Sequence, residues 1–526
     1  MPQNLKTPGI YIEEKNAFPG SVVEVATAIP AFIGYTEKAS RNGKSLINIP
    51  TRITSFAEYV ELFGGGFNPL FKLETPQDGD RSKVNFGDTE FAIKYAEDNH
   101  LLFYNSIKLF YANGGGTCYI VSVGTYEGKD SLKINKDQLL GHGKYENGKP
   151  IDGGLRSLEK EQEPTMVVIP EAVLLGVECY EIYREVLAHC NHMQNRIGIF
   201  DLFDGYKSRE KGYDPIDFFR DNIGIDFLSY AAAYYPWLYT TVVQKGEVSF
   251  KNLDPEIDLE SILPESNAQK LILEFPKNEV DFRIAFQKEF PNISQIPEVA
   301  FNDFVNQKKD HLHLGLMATS PTYASILEEI RSMMNLLPSA AALVGVYTMV
   351  DNNRGVWKSP ANVSLNAVIK PAVEISHEEQ ENLNVHVSGK SINAIRTFPG
   401  VGTLVWGART LDGNSLDWRY INVRRTIIMV EQSIKLALRA YVFEPNDANT
   451  WITVKSMIVS FLTEKWKQGA LAGASPEDAF DVQIGLGVTM TGLDILEGNL
   501  LVSVKLAIVR PAEFIVVTFQ QQMQKL

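Results

Sequence analysis

Three carboxylates, Glu171, Asp201 and Asp204, close short apolar runs, TMVVIPE (165–171) and RIGIFDLFDG (196–205), that read as parallel strands. Open α/β sheets carry acid–base and metal-binding groups at the carboxyl ends of such strands, so these residues are the first candidates for chemistry. Strand ends also need polar turn formers, which is enough to account for them. His189 and His192, with Cys190 between them, sit at helical i, i+3 spacing, a geometry seen at metal centres. No third ligand lies within sequence reach. His311 and His313 form an isolated H-x-H in a charged stretch. The triple-glycine runs at 64–66 and 114–116 look like phosphate loops, yet no Lys-Ser/Thr follows either. The GKS at 43–45 has Lys38 where a Walker loop needs glycine. Neither G-x-S-x-G nor H-E-x-x-H occurs. The sequence offers no catalytic, cofactor-binding or metal-binding set, and no cofactor is expected.

Composition narrows the classes further. At 526 residues, with 44% hydrophobic and 22% charged residues, the chain has the make-up of a folded protein of two to four domains. Its formal charge of −14 argues against direct nucleic-acid binding, which needs clustered basic surface. No apolar run approaches the ~18 residues that span a bilayer, so membrane insertion is not expected. The longest candidate, 230–243, is interrupted by Pro236. A basic-then-apolar leader is lacking at the start, and the expected compartment is the cytoplasm. Cys118, Cys179 and Cys190 cannot form a disulfide framework; the last two fall on one helix roughly 16 Å apart and read as buried thiols.

The elements that would position these residues are legible in part. Segments 22–34 and 117–123 read as strands, and 88–111 has helix-like apolar spacing. From 165 the pattern becomes strand, helix (178–194), strand, with a third strand at 227–239, which implies a right-handed parallel unit. Residues 244–312 are polar, proline-rich and without a clear apolar period, and a helix covers about 321–335. In 420–443 the residues Tyr420, Val423, Ile427, Val430, Ile434, Leu438 and Tyr441 recur at steps of three and four, one face of a long helix. Pro445 ends it, and Asn446 or Asn449 can cap the next helix, which turns Trp451, Val454, Ile458, Phe461 and Lys465 to a core and stops at Gly469. Strands follow after 480.

Both ends of the chain are apolar and extended. Phe514, Ile515, Val516, Val517 and Phe519 form a β-branched and aromatic run, and Ile10, Tyr11 and Ile12 follow a Pro-Gly turn. Termini are ordinarily polar and frayed unless something holds them, so both read as strands that pair with another chain. Charge is also uneven. Residues 418–470 hold eight basic side chains against four acidic ones in an otherwise acidic protein. On a helical wheel Arg425, Lys435 and Arg439, with Gln432, lie opposite the apolar stripe, either as a solvated face or as a contact for an acidic partner.

Nine motifs in order give the chain a family resemblance: PGIYIEE (8–14), NGGGTCYIVSV (113–123), AAAYYPWL (231–238), GVWKSPAN (355–362), VWGARTL (405–411), WRYINVRR (418–425), FEPNDANTW (443–451), GAL-x-G (469–473) and RPAEFIVV (510–517). It resembles the sheath proteins of contractile injection machines: phage tails, pyocins and extracellular injection particles. The match is dense from about 339 onward. The resemblance implies a mixed α/β (α+β) protein: an arm at 1–20, an inserted outer α/β region at 21–338 with 244–312 as peripheral decoration, a sheath core at 339–509 and a strand arm at 510–526. It implies a subunit that polymerises with itself as stacked hexameric rings around an inner tube, meets baseplate and terminator proteins, and contracts to drive the tube through a target envelope. Both arms would add strands to neighbouring subunits, with main-chain hydrogen bonds giving affinity and side chains filling pockets. Burying five large apolar side chains would contribute roughly 8–15 kcal/mol before ordering costs. Arg425, Lys435 and Arg439 become candidates for gripping the tube. Synthesis in the bacterial cytoplasm and export as part of a tail-like particle follow. The long 244–312 insertion departs from many relatives, and having both arms on one chain favours a phage-like or extracellular particle over a type VI secretion sheath. The alternatives are an α/β enzyme using the acidic strand ends, or a non-contractile tail or baseplate protein.

Overall fold

The computed structural model describes residues 21–517, apart from 78–81, 87–88, 98–99, 130, 142, 147–148, 152, 211 and 294–295. Ile10, Tyr11, Ile12 and Phe519 lie outside the described residues. The protein is a mixed α/β chain of two compact units. Unit 1 takes its described residues from 21–27, Val350–Ser359 and 420–517; unit 2 comprises Ala28–Met349 and Pro360–Arg419.

Unit 2 is built on nine strands: β1 (Pro30–Thr36), β2 (Thr51–Ile53), β3 (Cys118–Thr125), β4 (Met166–Val168), β5 (Ile197–Asp201), β6 (Ala231–Tyr235), β7 (Val363–Ser364), β8 (Asn393–Phe398) and β9 (Gly402–Trp406). Their spatial order is β7-β9-β8-β6-β5-β4-β1-β3-β2. The six strands from β8 to β3 run parallel, and the edges are antiparallel. β1, β4, β5 and β6 are buried along their whole length, the pattern of a parallel sheet covered on both faces. The strand–helix–strand reading of 165–205 holds, with α2 (Cys179–Met193) between β4 and β5, preceded in the chain by α1 (Phe103–Ala112). Helix α3 (Ala340–Arg354) begins in unit 2 and ends in unit 1.

Other expectations need correction. Residues 89–95 form a strand, Thr89–Tyr95, between two antiparallel partners, so the helix-like spacing of 88–111 applies only to α1. Segment 22–29 is extended without pairing as a strand, and the run at 227–239 breaks at Pro236 into two. Residues 244–312 contain helices at Ser266–Leu273, Glu279–Glu289 and Glu298–Thr319, with their own cluster of Phe282, Phe286, Phe301 and Phe304. Phe282 and Phe286 at i, i+4, and Phe301 and Phe304 at i, i+3, are the period that the surrounding charges hid.

The acidic strand ends are occupied by the protein's own backbone. Glu171, fully buried, accepts from the amides of Tyr35 (3.1 Å) and Phe103 (3.3 Å) and so caps the start of α1. Asp201 Oδ1 accepts from Ser339 N (2.7 Å), Ser339 Oγ (3.0 Å) and Ala340 N (2.9 Å), capping α3. Each offers carboxyl oxygens as acceptors to the free N–H groups of a helix amino terminus. Asp204 binds Lys207 Nζ (2.6 Å) and the Tyr213 hydroxyl (2.7 Å). His189 faces the Arg196 guanidinium (3.3 Å), and burial beside that cation pushes its pKa down to about 3. His313 Nδ1 lies 3.0 Å from the Tyr323 hydroxyl. Among the described residues no cluster of three His, Cys, Asp or Glu could hold a metal ion. All three cysteines are buried.

These caps carry a pH dependence. Burial raises the Glu171 carboxyl to about 8 although backbone N–H groups favour its charged form, and raises Asp201 to about 7 for the same reason. Both folded values exceed the ordinary 4.5 and 3.8, so the native state holds protons that the unfolded chain has released. Their contribution is present in full below about pH 4 and declines as pH rises through 7 and 8. Thermal melts of dilute subunit between about pH 5 and 8.5 should show a falling midpoint. Glu171→Gln should flatten the upper part of that fall, and an unchanged slope in the variant would refute the assignment.

Candidate assembly interface

Unit 1 is organised by two helices, α4 (Ile421–Leu438) and α5 (Ala448–Lys467), and a hairpin of β10 (Phe480–Gln483) and β11 (Ser503–Leu506). Its core joins Met429, Val430 and Ile434 of α4 to Val454, Ile458, Phe461 and Leu462 of α5. The predicted core side of α5 holds for Val454, Ile458, Phe461 and Lys465. The cap of α5 is Asp447, whose Oδ1 accepts from Asn449 N and Thr450 N at 3.0 Å, and neither Asn446 nor Asn449 fills that place. An ionised carboxylate there is the better acceptor for amides at the positive end of the helix.

The segment leading away from the amino end is fixed by alternating contacts. Val22 joins the core, Glu24 pairs with buried Lys465, and Val25 N donates to Ser433 Oγ (3.1 Å). Lys465 also lies 5.7–5.8 Å from the rings of Phe461 and Trp357. Thr27 Oγ1 donates to Asp351 Oδ2 at 2.6 Å.

Arg425 belongs to the same cluster. Its side chain is 5% exposed, its two terminal nitrogens bind the Asp351 carboxylate at 2.8 and 2.6 Å, and one also donates to Thr27 O at 3.0 Å. That removes Arg425 from the tube-contact candidates, because a guanidinium enclosed on an internal carboxylate has no surface to offer. The helical wheel failed here because α4 is buried on every side over Ile421–Thr426, so no stripe divides core from solvent.

Lys435 and Arg439 are exposed, but not opposite the apolar stripe. They flank a groove of about 640 Å³ whose walls are Ile427, Val430, Ile434, Leu438 and Val442 on one side and Val502, Val504 and Leu506 of the hairpin on the other, with Glu431 also at the rim. Among the described residues β11 pairs only with β10, and one face of the strand, Val504 and Leu506 with Val502 just before it, looks onto the groove. Beyond the hairpin the chain is held by Asn422 Nδ2 donating to Val509 O (2.9 Å) and the Tyr420 hydroxyl to Glu513 (3.2 Å). Then Phe514, Ile515, Val516 and Val517 stand 65–88% exposed with no regular structure. The strand-forming residues are there, and among the described residues no strand pairs with them.

Residues 414–522, which include α4, α5, the hairpin and this segment, match the family model of the phage tail sheath C-terminal domain. Over 98% of both chains the protein is similar, at 26% identity and a TM-score of 0.57, to the sheath of PVC, an extracellular contractile injection system, in its contracted state. The chain is similar to contractile tail sheath proteins. Its likeness to the contracted helical sheath of the anti-feeding prophage has the same identity and TM-score, covering 98% of this chain and 100% of that one. The tail sheath protein of Salmonella phage ViI is 26% identical over 152 residues, 28% of this chain and 24% of that protein. That of Vibrio phage KVP40 is 28% identical over 130 residues, 24% and 19% of the two chains. The chain thus spans about a quarter or less of the length of these phage relatives. No helix among its described residues is long and apolar enough to cross a membrane.

Proposed function

We propose that this subunit polymerises as stacked hexameric rings around an inner tube and that contraction of the stack drives the tube through a target envelope. The observation that carries the reading is the pairing of an unpartnered apolar segment, Phe514–Val517, with an open groove beside a two-stranded hairpin in the same chain. A strand donated by a neighbouring copy can extend the hairpin at β11 and lay alternate side chains against Ile434 and Val504. Ile10–Ile12 would serve a second neighbour in the same way. The apolar area on both sides favours a joint that persists while the rigid units move.

Lys435 and Arg439, at the rim, are proposed to meet an acidic surface of the inner tube, where exposed charge pairs are strong enough to hold and weak enough to release. Baseplate and terminator proteins would close the two ends of the stack. Synthesis in the cytoplasm of the producing bacterium and an outer position for the 21–338 region complete the proposal. The acidic strand ends that favoured an enzyme are engaged as helix caps and ion-pair partners, so no observation favours that alternative.

Electron microscopy of the purified protein tests the reading, since long hollow cylinders are expected and discrete small oligomers would refute it. Co-expressed with tube and baseplate, a Lys435→Glu/Arg439→Glu variant should give empty contracted cylinders instead of tube-filled particles. Extended, filled particles at wild-type yield would return these residues to solvent or to a sister subunit.

A further inference from the structure

Tyr441–Val442–Phe443–Glu444 closes a four-residue turn, with Glu444 N donating to Tyr441 O at 3.2 Å. Val442 has φ −67° and ψ 128°, and Phe443 has φ +73°. These are the angles of a type II turn, whose third position is ordinarily glycine because a Cβ is strained there. Phenylalanine at that position is strained, and its ring is fully exposed. Among the described residues no ring contact offsets either cost.

The loop is nonetheless rigid. Asn446 holds the Trp451 indole through Oδ1 (2.7 Å) and donates to Asn499 O (2.9 Å), and Asp447 caps α5 immediately after. A fixed loop with a strained backbone presents the ring at a defined place, the arrangement expected of a preorganised contact. Val442, itself 60% exposed, lines the end of the groove between α4 and the hairpin. Phe443 therefore continues the apolar surface on which a neighbouring copy is proposed to lie.

We propose that Phe443 is an anchor residue of the joint between sheath subunits, its ring seated on an apolar surface of a second copy. A dry aromatic anchor suits a contact kept through contraction, whereas a tube contact must let go. Buried aromatic side chains commonly dominate such interfaces. The proposal rests on the sheath reading, which wild-type polymerisation tests before any variant is made.

The experiment compares full-length Phe443→Gly, Phe443→Asn and Phe443→Tyr with wild type. Glycine and asparagine tolerate positive φ, so the melting midpoint of the dilute, unassembled subunit should hold or rise by about 1–2 °C. The threshold concentration for cylinder formation should rise about tenfold or more, and tyrosine should restore it. Glycine and asparagine variants that polymerise at the wild-type threshold would overturn the proposal. So would a lowered midpoint, which would mean the ring packs within its own subunit. Normal cylinders combined with failure to form tube-filled particles would move the ring to the tube and overturn the assignment to a second copy. A wild type that forms no cylinders overturns the sheath reading itself, and this inference with it.

Discussion

Removal of Glu513–Leu526 should leave a folded subunit that sediments as a small species at concentrations where the full chain forms cylinders. Within the described chain Glu513 receives the Tyr420 hydroxyl, while Phe514–Val517 stand exposed. Their loss should therefore leave the fold of the isolated subunit intact. On the donated-strand proposal the assembly, in contrast, would lose at least four large apolar side chains and a run of main-chain hydrogen bonds at every joint. Even after ordering costs such a loss exceeds the roughly 4 kcal/mol that separates a thousandfold change in affinity, so polymerisation should disappear altogether. Analytical sedimentation with circular dichroism separates the outcomes. Cylinders of ordinary length from the truncated chain would refute the donated-strand model, and an insoluble product would show that the segment completes its own unit.

Arg425→Ala should be the most destabilising single change in unit 1. It leaves the Asp351 carboxylate, 3% exposed, with the Thr27 hydroxyl as its remaining hydrogen-bond partner from this cluster. Breaking one side of a buried ion pair costs about 3–5 kcal/mol. The double variant Arg425→Met/Asp351→Leu should recover most of that loss, because two apolar groups leave no charge stranded. Denaturant melts of the four proteins give the coupling directly. An alanine variant within about 0.5 kcal/mol of wild type would mean that water reaches Asp351 and the cluster contributes little.

Periodicity made some of this architecture readable in advance and could not reach the rest. The strand–helix–strand at 165–205 and the core side of α5 depend on neighbours a few residues apart, so their pattern survives in one dimension. The pairing of Arg425 with Asp351 and Thr27 joins residues 74 and 398 positions apart, and no local spacing announces it. The same holds for Glu171 and Asp201, whose polar character at strand ends was visible but whose targets, the amides of Phe103 and Ser339, were not. Thr89–Tyr95 was misread because a short strand between two antiparallel partners need not alternate strictly. Ile10–Ile12 and Phe514–Val517 were singled out by their misfit with a chain end; the latter stand exposed in the structure, as Phe443 does, and a role at an interface is what we propose for them.

The cluster of Thr27, Asp351 and Arg425 has a mechanical meaning. Each residue lies close to a point where the chain passes between units: 27/28, 349/350 and 419/420. Followed along the covalent backbone, tension applied between the two arms would run through some 380 residues of unit 2. The guanidinium–carboxylate clasp joins the three passing segments directly within unit 1, through hydrogen bonds of 2.6–3.0 Å. On the proposed reading, load passing along unit 1 would have this shorter route, and an insertion such as 244–312 in unit 2 could vary without changing it.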